Sequence, residues 1–158
     1  MAKILVIYYS RSGNTKKMAE MVARGAKDKS AEVNLKEVAE VKPEDLLGYD
    51  GIIIGSPTYY GTLAWEVKKL LDESVKFHGK LEGKVGSAFS SAANIGGGNE
   101  TTILSILEAM LIHGMVVQGS YGGDHYGPVA IGMPDQRAKE QCLALGDRIA
   151  RLAKKLAG

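Results

Sequence analysis

Ile4-Leu5-Val6-Ile7-Tyr8-Tyr9-Ser10-Arg11-Ser12-Gly13-Asn14-Thr15 is the stretch that decides the fold. Its first six residues form a near-continuous apolar run, as a strand does when both faces of its sheet are covered. The run then gives way to small polar residues, one arginine and one glycine. Helical spacing begins at once, with Met18, Met21, Val22 and Gly25 on one stripe. Strand, short polar turn and helix make the opening of a βαβ unit.

The same alternation continues outward. Val33, Leu35 and Val38 read as a weaker strand nearer an edge, and Ile52-Ile53-Ile54 as a second buried one. A helix carrying Val67, Leu70 and Leu71 follows. Val85 to Phe89 gives another strand, and Ile103, Leu104, Ile106, Leu107, Met110 and Leu111 the next helix. Met115-Val116-Val117 closes the sheet, and Cys142, Leu145, Ile149, Leu152 and Leu156 mark a last helix. Such an alternation without internal repeats predicts an α/β fold: a doubly wound parallel sheet with helices on both faces. No segment has linker composition, so residues 1–158 are expected to form one domain. Gly119 to Pro134 is long, irregular and rich in Gly and Tyr, which suggests a functional or mobile loop.

Composition narrows the function classes. Gly accounts for 20 of 158 residues, nearly twice the usual ~7%, and these glycines cluster in loops. A net charge of +2 without an arginine-rich stripe gives no reason to expect nucleic acid. Six apolar residues after Lys3 are too few for a signal peptide or a membrane span. The single Cys142 cannot form an internal disulfide, which fits a reducing compartment, so a cytoplasmic location is expected.

In a doubly wound sheet ligands bind outside the carboxyl ends of the strands. Three loops follow strands: Ser10 to Thr15, Ser56 to Thr62, and Ser90 to Asn99. All are small, polar and glycine-bearing, whereas Lys27-Asp28-Lys29 and Glu73-Ser74-Val75-Lys76 at the other end read as charged surface. The first loop reads as a phosphate cradle, with Ser10, Arg11, Ser12, Gly13, Asn14 and Thr15 at a helix start whose free amides favour a dianion. It lacks the Gly-Lys-Ser/Thr of a nucleotide-triphosphate loop, and its single glycine is not a dinucleotide fingerprint. A capped strand-to-helix turn of no further purpose has the same residues.

In the second loop Pro57, Thr58, Tyr59, Tyr60 and Gly61 offer aromatics that either pack against a flat ring or brace the loop itself. In the third, Ser90, Ser91, Ala92, Ala93, Asn94, Gly96 and Gly97 lead through a glycine run, costly to order, that suits close approach of a ligand or of another subunit. His113, before Gly114, caps a helix or contacts a ligand. Trp65 is expected in the core, and Cys142 matches an apolar stripe and is expected to be inert. No residue stands out as a general acid or base, and none as a metal ligand.

Ile7 to Thr15 resembles the phosphate-binding segment of flavodoxins, with Ser12 where that family more often has threonine. Gly55 to Gly61, Phe89 through Thr101, and Ile112-His113-Gly114-Met115-Val116 are similar to the WrbA-type NAD(P)H:quinone oxidoreductases, which share the flavodoxin-like fold. The chain is shorter than typical members of that branch, and Val75 to Lys84 is abbreviated. The resemblance implies a five-stranded sheet of order 2-1-3-4-5 and flavin mononucleotide (FMN) held by the three loops, with His113 near the flavin. It also implies electron transfer, from NAD(P)H to a quinone or similar small acceptor, or between redox partner proteins as a one-electron carrier. A homo-oligomer stays open.

Overall fold

The computed structural model describes residues 1–27 and 31–158; Asp28 and Lys29, read above as charged surface, lie outside the described residues. The apolar run becomes β1 (Lys3–Tyr8), buried from Ile4 to Tyr8. It pairs in parallel with β2 (Glu32–Glu37) on one side and β3 (Gly51–Pro57) on the other. β3 pairs in parallel with β4 (Val85–Ala92), and β5 (Val116–Val117) lies beyond β4, so the sheet runs β2-β1-β3-β4-β5, the expected order. β4 is buried along its whole length, as is β3 up to Ser56, and both read as unbroken small or apolar runs for that reason. β2 is the edge, and its Leu35 is exposed; Val38 stands in the 3₁₀ turn beyond it.

The fifth position is a strand in two pieces. β5 (Val116–Val117) pairs with Val85 and Gly86 at the start of β4, and β6 (Val129–Ile131) pairs with Ser90 to Ala92 at its end. Residues 118–128 leave the sheet between them. The stretch Gly119 to Pro134, expected as one irregular loop, therefore contains a strand. Three residues are too few for periodicity to reveal it. Asp124 holds the excursion in place, its Oδ2 accepting the Val129 N–H at 2.9 Å while Arg137 donates to Oδ1 at 2.8 Å.

α1 (Asn14–Lys27) and α4 (Gln136–Leu156) cover one face of the sheet, packing on Ile4, Val6, Ile53, Val85 and Phe89. α2 (Trp65–Glu73) and α3 (Asn99–Ile112) cover the other, over Leu5, Ile7, Ile52, Ile54 and Ala88. Each large aliphatic side chain buried this way contributes roughly 1.5–3 kcal/mol. α1 and α4 touch backbone to backbone: a methyl group on Gly146 would lie 2.0 Å from the Val22 carbonyl oxygen, and one on Gly25 2.1 Å from that of Leu143. Asp135 caps α4 by accepting the Ala138 N–H at 2.8 Å, worth about 1 kcal/mol. Cys142 sits in this contact, its thiol pushed up to about 12 by burial, then by Asp124. Trp65, expected in the core, is instead mostly exposed at the first position of α2; Val67 and Leu70 take the inward places. Among the described residues no helix is long and apolar enough to cross a membrane.

Candidate functional site

Strand order reverses between β1 and β3, which opens a crevice at their carboxyl ends. The three loops meet there. A cleft of about 310 Å³ is lined by Arg11, Ser12, Asn14 and Thr15 from the first, Pro57, Thr58 and Tyr59 from the second, and Ser91, Ala92 and Ala93 from the third. Gly132, just after β6, completes the wall. The sequence reading missed it because the strand that delivers it was itself hidden.

The first loop is built to leave donors open. Ser10 Oγ turns inward to accept the Gly13 N–H at 3.1 Å, and the Lys17 N–H bonds the Gly13 carbonyl to begin α1. Among the described residues no acceptor engages the N–H groups of Ser12, Asn14 or Thr15. These amides stand at the positive end of a fourteen-residue helix. Carboxylates normally favour that position, yet the first turn of α1 holds none and carries Lys16 and Lys17, with Arg11 exposed just before it. Three cations beside a helix N-terminus repel it and one another, an arrangement that an incoming anion relieves.

The loops are latched to each other from below. Thr15 Oγ1 and Ser91 Oγ, both buried, share a hydrogen bond of 2.9 Å. The Thr58 N–H donates to the Ser91 carbonyl at 2.7 Å, and Thr58 Oγ1 bonds Ser90 Oγ at 3.0 Å while accepting from Thr102 Oγ1 at 3.0 Å. Thr101 Oγ1 donates to the Gly61 carbonyl. At Gly98 the second and third loops nearly touch: φ is +115°, and a methyl group there would lie 2.8 Å from the Gly61 Cα. Part of the glycine run thus serves the approach of one loop to another.

The aromatics divide. Tyr59 lines the cleft and meets Tyr9 edge to face, ring centres 6.2 Å apart. Burial, then the Glu66 carboxylate, holds the Tyr9 phenol above its ordinary range. Tyr60 is fully exposed with a φ of +47°, so the turn rather than packing sets its place. Asn94 and Gly96 are exposed on the outer part of the third loop, and Gly97 is half-buried there. Among the described residues that line the cleft, Arg11 alone carries a formal charge.

His113 is not brought to this rim. α3 leaves the cleft at Asn99 and runs the length of the sheet to Ile112, about 20 Å at 1.5 Å per residue. His113 therefore lies at the amino ends of the strands, three residues before Val116 pairs with the first residue of β4. Ser74 Oγ gives its one proton to the Leu71 carbonyl at 2.6 Å, so it accepts from His113 Nε2–H at 2.8 Å. Nδ1 is buried without a partner. Burial, then His78 with its ring 6.1 Å away, lowers the His113 pKa and so favours the neutral ring. Ser74, read as charged surface with its neighbours, is fully buried in this arrangement.

Residues 5–92 match the flavodoxin domain family. A flavodoxin of Aquifex aeolicus (strain VF5) is 45% identical over 159 aligned residues, covering 95% of this chain and 86% of that protein. An NAD(P)H dehydrogenase (quinone) of Archaeoglobus fulgidus is 35% identical over 190, covering 99% and 100%. The crystal structure of a WrbA-like flavodoxin from Agrobacterium tumefaciens superposes with a TM-score of 0.81 at 30% identity, over 98% of this chain and 99% of that one.

Proposed function

The chain belongs to the flavodoxin domain family, and from that premise we propose that it binds FMN in the carboxyl-rim cleft and passes electrons from NAD(P)H to a quinone or similar small acceptor. The observation that carries this reading is the open first loop: unengaged amides of Ser12, Asn14 and Thr15 at a helix start crowded with Arg11, Lys16 and Lys17. That donor set fits a phosphate dianion. Tyr59, Pro57 and Ala92 supply the apolar and aromatic walls that suit a flat ring. FMN, when bound, supplies the redox chemistry.

The chain's own residues bind, orient and exclude water. Ser12, Asn14 and Thr15 hold the phosphate end, with Ser10 shaping the turn. Pro57, Thr58, Tyr59 and Gly61 flank the ring on one side, and Ser90 through Asn94 with Gly96 and Gly97 on the other. The latches between the loops fix this spacing in advance, which lowers the cost of ordering a ligand. No side chain is assigned a proton transfer.

Charge favours a reductase over a low-potential carrier. Adding electrons to a bound ring brings negative charge into the cleft, and carboxylates there would oppose it. Among the described residues none lines this cleft, and the isoelectric point of the chain is about 8.6. The alternative, a one-electron carrier between redox partner proteins, is supported by the 45% identity to a flavodoxin. A cytoplasmic location and assembly of several copies belong to the same reading. Anaerobic stopped-flow mixing of the yellow protein with NADH or NADPH tests it: prompt bleaching of the flavin band, with colour restored by a quinone, is expected. Colour that no nicotinamide bleaches leaves the carrier; a protein that binds no FMN ends both readings.

A further inference from the structure

A second cavity, of about 300 Å³, lies beside the carboxyl ends of β1 and β2, between α2 and the 3₁₀ turn that follows β2. Tyr9, Glu37, Val38, Trp65, Glu66 and Leu70 contribute to its wall, and it shares no lining residue with the candidate FMN cleft. Tyr9 stands between the two, since its ring meets Tyr59 of the cleft edge to face.

Two features of this cavity serve no purpose in the packing of the fold. Trp65, the one tryptophan of the chain, lines the cavity yet is 68% exposed, so its ring stands at the mouth. Glu66 follows it. A carboxylate in the first turn of α2 suits the helix dipole, but that requires no burial. Its Oε2 is nevertheless buried without a hydrogen-bond partner, a state that costs free energy until a donor arrives. Among the described residues no cation pairs with Glu37 or Glu66, and the Lys69 ammonium is engaged by Glu73.

We propose that this cavity binds an organic ammonium ion. Glu66 Oε2 accepts an N–H of the head group, and Glu37 adds to the attraction. Trp65 and Tyr9 supply the aromatic rings that draw a cation most strongly once water is partly excluded. Val38 and Leu70 take the hydrocarbon body. Small-molecule pockets run from roughly 300 to 1,000 Å³, so this cavity suits a molecule the size of an arylalkylamine. Its carboxylates oppose a phosphate, so neither FMN nor a nicotinamide dinucleotide is the occupant. The two cavities are thus opposite in sign, with Arg11 in one and Glu37 and Glu66 in the other.

Heteronuclear NMR of the FMN-loaded protein tests the proposal, because Trp65 gives the single indole N–H signal. Titration with phenethylammonium chloride should move that signal saturably, with a Kd of about 0.1–1 mM. Phenethyl alcohol, which keeps the ring and loses the charge, should bind roughly 10-fold more weakly, and phenylpropanoate should leave the signal in place. Glu66→Gln should weaken the ammonium roughly 10-fold, whereas Glu20→Gln, on the exposed side of α1, should not alter it. An indole signal that the ammonium fails to move overturns the site. Equal affinity for the alcohol, or equal effects of Glu20→Gln and Glu66→Gln, overturns the charge recognition. Calorimetry on Trp65→Leu should show binding weakened roughly 5-fold, and unchanged affinity there removes the aromatic wall. A protein that takes up no FMN yet still shows the indole shift would end the functional reading and leave this one standing.

Discussion

The two ends of the sheet handle their backbone and polar groups in opposite ways. At the carboxyl rim, amides of the first loop and α1 are left open, cations are crowded together, and three loops are braced around the cleft. At the amino rim, buried Ser74 donates to the Leu71 carbonyl and accepts from the buried His113 ring. The difference separates donors held ready for a ligand from donors consumed by the fold. Polarity alone would not separate them, since serine hydroxyls stand at both ends, Ser10, Ser90 and Ser91 at one and Ser74 at the other.

The largest effect should come from the joint that holds the open rim. Gly98→Ala forces a side chain into a left-handed backbone and against Gly61, and should cost about 3 kcal/mol in urea unfolding and weaken FMN binding with it. Full stability in that variant would mean the rim is not braced as described. Thr15→Ala should weaken FMN by roughly 1–2 kcal/mol, or about 5- to 30-fold, in a fluorescence-quenching titration. Unchanged affinity would remove Thr15 from the phosphate end.

The closed rim should answer to pH instead of to ligand. The folded chain holds His113 below its ordinary value of 6.5, so as pH falls the unfolded chain takes up the proton first. The stability tied to a neutral ring is complete above that value and is lost as pH drops through the lowered one. His113→Gln should flatten this acid limb in a pH series of urea midpoints and leave FMN affinity within about twofold. A large loss of FMN binding would instead return His113 to the site. The smallest effect is expected at Cys142, whose thiol should stay unreactive toward an aromatic disulfide reagent at neutral pH until the chain unfolds.

The open rim was legible in the sequence because its chemistry is local. Strand, loop and helix start are contiguous in Ile4 to Thr15, and burial on both faces forces the unbroken apolar run that locates the loop. Pro57 to Tyr59 and Ser91 to Ala93 follow by the same logic. β6 was not legible, since three residues carry no period and their partners are Ser90 to Ala92. Trp65 misled because an aromatic beside an inward-facing Val67 has no local mark of exposure. His113 is a different failure. A residue that ends one helix and precedes the next parallel strand must lie at the amino rim, so the predicted topology already held the answer that motif similarity obscured.

The divided fifth strand gives the architecture a place to vary. Val117 and Val129 are fixed by separate pairings with β4, so the sheet does not dictate the length of what joins them. Segments of other lengths and chemistries can be grafted between those two anchors without shifting the neighbouring strands. The far anchor leads directly to Gly132 at the wall of the cleft, so a chimera made there would change what shelters the bound molecule while keeping what grips it.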